Sequence, residues 1–329
     1  MSKLCFCTIF YANYAAKGMA LYHSLERVCK DFHVFIVAMD DYCLQLLSRQ
    51  DMPHASILSI ADVEDFYPQL KTIKVSRNKG EYSWTCKGPS LLFCYNKFGL
   101  KDCTYLDADL YFFSDPTPLY EEAPDADVML MDHQYTSWYN LAATNGQYCA
   151  GYLYFKFNDN GLKILSEWTE QCVEWCFGRY EPGRFGDQKY LDEFHQKYEN
   201  IYDLQCIGLC APWNIQQYDV THGTDDNVYV SRNGQNVKLI IYHFHFMRNL
   251  DFGKFNEFYL GPYTLSKSIK RYIYKPYLKE LKEFTIYSDT RFHDIDVLAS
   301  KGQRMSMIGY LWHWCKNAWK RNKIQWKRR

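Results

Sequence analysis

The strongest constraint in this chain is a succession of short runs that are apolar at nearly every position. Leu4–Phe10 (LCFCTIF) and His33–Met39 (HVFIVAM) lack the alternation of a strand with one wet face. Runs of this length and character fit strands buried on both sides, as in a parallel sheet between two helical layers. Ser56–Ile60 supplies a third strand and Thr104–Leu106 a fourth. Between them, Lys17–Cys29 sets Met19, Leu21, Tyr22, Leu25 and Val28 at helical spacing, and Asp41–Ser48 turns Leu44 and Leu47 inward. Pro89–Phe98 is predicted as a helix with Pro89 in its first turn. Strands separated by helices define an α/β fold with a mostly parallel central sheet flanked by helices. Lys3 ahead of an apolar run is a faint secretory-leader pattern, but Tyr11, Asn13 and Tyr14 interrupt it, so Leu4–Phe10 reads as the first strand.

Regularity falls after residue 110. Val128–Met131, Tyr148–Phe157 and Val237–Phe246 are predicted strands; Leu162–Phe177, Gln188–Tyr198 and residues 262–283 are predicted helices; Gly178–Gly186 is a Gly/Pro-punctuated loop. The division expected is an α/β domain over 1–250, a helical extension over 251–302 and a basic amphipathic tail helix over 303–329. At 329 residues, 47% hydrophobic and 23% charged, the chain can bury a core and is not a disordered protein. No run approaches the roughly 18 apolar residues of a spanning helix. Thirteen cysteines, an odd number lying mostly in apolar runs, fit buried thiols in a reducing compartment. The two CxxxC pairs, Cys172/Cys176 and Cys206/Cys210, are read the same way and not as zinc knuckles.

Charge is balanced at 38 basic and 38 acidic residues, yet residues 301–329 hold nine of the basic ones and no acidic one. The body is therefore acidic, which opposes nucleic-acid binding. In the tail, Met305, Ile308, Trp312, Cys315, Trp319 and Trp326 fall on one helical stripe beside Lys316, Lys320, Lys323 and Lys327. A basic amphipathic helix with tryptophans suits an anionic membrane surface. The location expected is cytoplasmic, peripheral on the inner face of the cell membrane.

The residues with chemistry begin at TYLDADLYFF. Asp107 and Asp109 close an apolar strand at i and i+2, which in extended chain aims both carboxylates to one side. Hard oxygen ligands so placed suit Mg²⁺ or Mn²⁺. DxD also occurs at Asp125/Asp127 and Asp294/Asp296, but only the first lies between apolar stretches. In IIYHFHFMR, His243 and His245 share one strand face and can add a nitrogen ligand. In FGDQKY, Asp187 is either a helix cap or, with Gln188, a partner for sugar hydroxyls.

Three patterns in this order resemble GT-A fold glycosyltransferases, above all the family 8-like retaining enzymes. They are CTIFYANYAAKGMALYHSL, then YLDADLYFFSDP, then FGDQKYLDEF with IIYHFHF. The chain also looks like transferases of bacterial capsule and lipopolysaccharide clusters. The resemblance implies a GT-A fold with a C-terminal helical extension, and transfer of a sugar from a nucleotide-diphosphate donor, a UDP-sugar by family habit, to a saccharide or lipid-linked acceptor. It implies that Thr8, Phe10, Tyr11 and Tyr14 cradle the nucleoside and that Asp107-Ala108-Asp109 bridges Mn²⁺ (or Mg²⁺) to the pyrophosphate. His243, with His245 second, completes the metal site. Asp187 and Gln188 lie at the donor sugar, and Arg77 or Lys87 is the basic residue that reaches it. Two departures stand out: Cys149-Ala150-Gly151 replaces an Asn-Ala-Gly strand start, and Phe246 replaces a glycine after the metal histidine, leaving Arg248 as the nearby cation. Trp138, Tyr139 and Trp213 are acceptor-side candidates, since sugar C–H faces stack on aromatic rings. The rivals are a sugar-1-phosphate nucleotidyltransferase, which would want a Gly-rich basic loop that FYANYAAKG lacks, and a non-catalytic glycan-binding or membrane-scaffold protein on the same fold.

Overall fold

A computed structural model describes residues 3–251, 255–289 and 323–327. Its centre is a seven-stranded sheet made of β1 (Leu4–Phe10), β2 (Phe32–Ala38), β3 (Ala55–Ser59), β4 (Asp102–Leu106), β5 (Val128–Asp132), β6 (Tyr148–Lys156) and β7 (Ile201–Asp203). The spatial order is β3-β2-β1-β4-β6-β5-β7. The pairings β3–β2, β2–β1, β1–β4 and β5–β7 are parallel, and β6 runs against both of its neighbours. The sheet is thus mostly parallel. The full burial read from sequence has its cause in two apolar layers. Phe6, Val34 and Ile36 join one of them; Cys7, Phe35 and Val37, pointing the other way, join the second.

The chain leaves β1 toward β2 on one side, while β4 pairs with β1 on the other, Phe6 opposite Thr104 and Cys7 opposite Tyr105. The order reverses there, and such reversals at the carboxyl ends of parallel strands form ligand crevices. The loop after β1 and the Asp107–Asp109 turn after β4 therefore lie side by side.

Several elements differ from the sequence expectation. The helix predicted to start at Pro89 spans Lys79–Phe98, with Pro89 inside it. Asn78 accepts from the Glu81 N–H while the Glu81 carboxylate accepts from the Asn78 N–H, a capping box that fixes the earlier start. Pro89 deletes only one helical hydrogen bond. Gln188–Tyr198 is not one helix but a 3₁₀ segment, Lys189–Glu193, followed by a single turn, Phe194–Lys197. Val237–Phe246 splits because the chain changes partners. Gln235–Lys238 pairs with Val228–Arg232, whereas Ile241–His243 pairs with Leu110–Phe112 and Leu209–Cys210. The strand stops at His243, and Phe246 is left-handed at φ 61°.

Residues 267–289 are helical, with a π-helical turn at Lys270–Tyr274, and they pack on helix Ala15–Val28. Tyr263, Tyr274 and Tyr277 belong to the same apolar layer as Phe6 and Phe112. Arg27 forms an ion pair with Glu280 at 2.9 Å. Of the predicted tail helix, 303–322 and 328–329 lie outside the described residues, as does Asp294/Asp296. Lys323–Lys327 corrects the expectation: it is a strand antiparallel to Phe255–Tyr259. Its sequence, KIQWK, alternates polar and apolar with the strand period. Among the described residues no helix is long and apolar enough to cross a membrane.

Helix Lys79–Phe98 carries a key site residue, and its seat is set by Gly88. A Cβ there would come within 2.1 Å of Thr169 Oγ1 on helix Asp159–Glu174. Gly88→Ala should therefore destabilise the fold by about 1–3 kcal/mol, as for other overpacked cores; a urea midpoint equal to wild type would contradict this close approach.

Candidate active site

Asp107 to Leu110 is a tight turn, not extended chain. The Leu110 N–H donates to the Asp107 carbonyl at 3.0 Å, and Leu110–Phe112 returns antiparallel to Ile241–His243. This corrects the expected geometry of Asp107 and Asp109 but keeps both carboxylates on the same side of the site. His243 arrives on the paired strand, its Nε2 2.9 Å from Asp109 Oδ1 and 3.8 Å from Asp107 Oδ2. One ligand atom from each of the three lies within 4.8 Å of the others. The turn is further fixed by the Phe244 N–H donating to the Asp109 carbonyl and the Asp107 N–H donating to the Gly151 carbonyl, both at 2.8 Å.

The space between these ligands exists because residue 151 has no side chain. A Cβ on Gly151 would sit 2.9 Å from both Asp107 Oδ2 and His243 Cε1. Two carboxylates and an imidazole around such a gap suit Mn²⁺ or Mg²⁺, whose octahedral ligands at about 2.1 Å lie about 3 Å apart when adjacent.

Lys87 lies under this cluster. It is 2% exposed, and its ammonium lies 3.0 Å from Asp107 Oδ1, 2.8 Å from Asp187 Oδ2 and 3.0 Å from the Ala150 carbonyl oxygen it donates to. The Tyr105 ring lies 4.8 Å from the same nitrogen. Burial works against the charge, but Asp107 and Asp187 hold the ammonium well above its ordinary range. Burial raises Asp187 in turn, against the pull of Lys87.

At His243, burial opposes an imidazolium, yet Asp109 holds the pKa well above the ordinary value. Asp109 is pulled far below the usual carboxylate range, chiefly by His243 and then by Lys17, whose Nζ is 3.7 Å away, both overcoming burial. Lys17 was not among the residues picked from sequence. Its one sequence signal was its place in the YANYAAKG loop-to-helix stretch.

The other predicted residues are distributed as follows. Arg77 does not join the cluster: its guanidinium donates to Thr85 Oγ1 and the Val173 carbonyl, both at 2.7 Å. Gln188 donates to the Asn145 carbonyl at 2.7 Å. Thr8, Phe10 and Ala108 are buried, while Tyr11 is half-buried under the Lys79 ammonium and Tyr14 is exposed beside Lys17. His245 turns away from the ligand set. Its Nδ1 is 3.0 Å from the Tyr263 hydroxyl, and burial together with His243 lowers its pKa to about 3. Trp213 is buried edge-on to both His243 and His245, and Trp138 is exposed with its indole N–H donating to Gln216 Oε1 at 3.3 Å. Tyr139 packs against Tyr263, and Arg248 is exposed near the Phe246 ring. Asp127, of the second DxD, is a structural anchor that accepts from Asn158, Asn160 and Asn200.

Cys149, noted in the sequence only as standing where an Asn was expected, lies against the site. Its Sγ accepts from the Gly151 N–H at 3.4 Å and lies 3.6 Å from His243 Nδ1. Burial would raise the thiol, but hydrogen bonds with His133 and His243 bring it down to about 6.

A strand-end pair of carboxylates facing a histidine, at the switch point of a mostly parallel sheet, defines a site of the class that binds phosphorylated ligands and could hold a divalent cation. Comparison agrees with that class. The family described as nucleotide-diphospho-sugar transferase matches residues 101–257, the stretch that holds Asp107, Asp109, Asp187 and His243. The uncharacterized protein YfnF of Bacillus subtilis (strain 168) is 33% identical over 248 residues, covering 73% of this chain and 80% of its own. The uncharacterized protein YfnD of the same strain is 29% identical over 304 residues, covering 89% of this chain and 94% of its own. The solved galactosyltransferase LgtC, in complex with donor and acceptor sugar analogues, superposes with a TM-score of 0.50 at 14% identity over 85% of this chain and 96% of that one. That likeness is one of fold, the GT-A fold. The chain belongs to the nucleotide-diphospho-sugar transferase family and is a glycosyltransferase.

Because buried Lys87 is paired with buried Asp187 and with half-buried Asp107, Lys87→Met should cost about 3–5 kcal/mol, the range for breaking a buried ion pair from one side. Chemical denaturation checks this, and a loss below 1 kcal/mol would mean that Asp107 and Asp187 do not depend on it.

Proposed function

We propose that this glycosyltransferase is metal-dependent: Asp107, Asp109 and His243 hold Mn²⁺ or Mg²⁺ against the diphosphate of the donor. The observation that carries the reading is the convergence of these three side chains on the space left by Gly151. When bound, the ion supplies Lewis-acid stabilisation of the charge that develops on the departing diphosphate oxygen. The protein's own part is positioning. Lys87 locks Asp107 toward the metal side and Asp187 toward the sugar side of one ammonium. Asp187, beside the sugar, orients its hydroxyls and stabilises positive charge building at the anomeric carbon. Tyr11 and Tyr14, after β1, form the rim that receives the nucleoside.

By resemblance to the family 8-like enzymes the donor is a UDP-sugar and the anomeric configuration is retained. The acceptor is a saccharide, and exposed Trp138 is the ring placed to stack on it. Nine cations without an acidic residue over 301–329 support contact with an anionic membrane, where a lipid-linked acceptor for surface polysaccharide would lie.

Asp109→Asn should reduce donor turnover by at least 100-fold and abolish its Mn²⁺ dependence. Asp187→Asn should lower kcat while leaving donor binding within a few-fold. Release of the nucleoside diphosphate measures both, and a fully active Asp109→Asn protein would refute the metal reading. Metal affinity should also fall as pH falls. His243 binds metal only after losing a proton, and Asp109 keeps its pKa high, so the proton competes more strongly at pH 6 than at pH 8. Free-Mn²⁺ paramagnetic resonance reads the change; equal affinity at both pH values would exclude His243 as a ligand.

A further inference from the structure

We propose that Lys17 binds the diphosphate of the donor, beside the metal ligands. The inference rests on the metal reading above and adds a binding residue to it.

Position is the first argument. Lys17 lies in the first turn of helix Ala15–Val28. The two oxygens of Asp109 are divided between partners: Oδ1 is 2.9 Å from His243 Nε2, and Oδ2 is 3.7 Å from the Lys17 ammonium. The same ammonium lies 4.4 Å from the centroid of the Tyr14 ring. Tyr14 belongs to the rim proposed for the nucleoside, and Asp109 to the ligand set proposed for the metal. A donor diphosphate begins at the nucleoside and ends at the metal. Lys17, in contact with a marker of each, stands along that course. The helix holds it there. A Cβ on the next residue, Gly18, would come 2.3 Å from Phe10 Cε1, so the helix lies tight against the end of β1. Farther along the same helix, Ser24 Oγ accepts from the Phe112 N–H at 3.0 Å, which ties it to the strand that follows Asp109.

Charge is the second argument. Asp107, Asp109 and Asp187 bring three carboxylates to the centre, and Lys87 with a divalent ion would balance them. A diphosphate then arrives with no cation left over. Lys87 cannot turn to it. An ammonium has three N–H donors, and Asp107, Asp187 and the Ala150 carbonyl stand around this one. Arg77 is spent on Thr85 and the Val173 carbonyl. Lys17 is placed differently. Among the described residues its ion-pair partner is Asp109 alone, at 3.7 Å, well beyond the roughly 2.8 Å of a charge-assisted hydrogen bond. No described residue accepts a hydrogen bond from it. Its side chain is 16% exposed, and a mostly buried ammonium without an acceptor is costly. A phosphate oxygen is such an acceptor. With an ion on Asp109, the ion and the ammonium are like charges sharing one carboxylate, and an anion between them removes the repulsion.

The test uses the full chain as wild type, Lys17→Met and Lys17→Gln, with thermal unfolding in EDTA as the control for folding. Calorimetry in Mn²⁺ measures affinity for the tightest-binding of uridine, thymidine, cytidine, guanosine and adenosine diphosphates. Paramagnetic resonance measures affinity for Mn²⁺ alone. The expected result is nucleoside diphosphate binding weaker by about 10- to 100-fold in both variants, the range for losing a hydrogen bond to a charged group, with Mn²⁺ affinity equal to wild type or tighter. In wild-type protein the bound diphosphate should also protect Lys17 from acetic anhydride, read on its peptide by mass spectrometry, a readout that needs no variant to fold. Diphosphate affinity within twofold of wild type in a folded variant, or equal acetylation of Lys17 with and without diphosphate, overturns the proposal and leaves the metal reading standing. So does Mn²⁺ affinity that falls in step with diphosphate affinity, which would assign Lys17 to orienting Asp109, or a wild type that binds Mn²⁺ but none of the five diphosphates. A wild type that binds no Mn²⁺ removes the metal reading and this one with it.

Discussion

The structure around the active site depends on one buried cation. The Lys87 ammonium stands between Asp107 and Asp187 at 3.0 and 2.8 Å, with the Ala150 carbonyl as its third partner. A lone ammonium in that place would be driven to lose its proton, and two carboxylates without it would repel each other. Together they form a compact unit with one net negative charge. The helix that carries Lys87, the strand that carries Ala150 and Gly151, the turn that carries Asp107 and the loop that carries Asp187 are thereby fixed to one point. The capping box at Asn78 and the close approach at Gly88 set the depth at which that helix presents Lys87.

A second layer of constraint lies on the opposite side of Asp107. There the site is defined by what Gly151 omits, since any Cβ would press on Asp107 and His243. Lys87 and Gly151 thus act from two directions on the same carboxylate: one holds an oxygen, the other leaves room near the second. The matched stretch of the nucleotide-diphospho-sugar transferase family, residues 101–257, contains the acidic residues Asp107, Asp109 and Asp187. In the function proposed above, Asp107 and Asp109 would hold the metal, and Asp187, the other carboxylate on Lys87, would serve the sugar.

Much of this was legible in the residues. Fully apolar runs at Leu4–Phe10 and His33–Met39 identified buried parallel strands because burial on both faces leaves no room for alternation. Asp107, Asp109, His243 and Asp187 were picked out by type and order, and the structure brings them together with Lys87. What was not legible depends on contacts between distant segments. Arg77 and Lys87 looked equivalent in sequence, but only the fold shows that Arg77 is spent on Thr85 and the Val173 carbonyl. His245 shares a face with His243 in an ideal strand, yet the strand ends at His243 and its neighbour turns to Tyr263. Cys149 was marked only as a replacement for Asn and given no place in the site, because a thiol in an apolar strand reads as core until its neighbours are known. The Asn78–Glu81 capping box was readable and overlooked, since Pro89 was weighted as a helix start.

The most direct test of the central claim is the thermal unfolding of the wild-type protein with nucleoside diphosphates, with and without Mn²⁺. A ligand that binds only the folded state raises the midpoint according to its concentration over Kd. The account predicts a rise with one nucleoside diphosphate that requires Mn²⁺ and disappears in Asp109→Asn. A nucleotide-induced rise of equal size in EDTA would contradict it, because the diphosphate would then be held without Asp107, Asp109 and His243 acting through a metal.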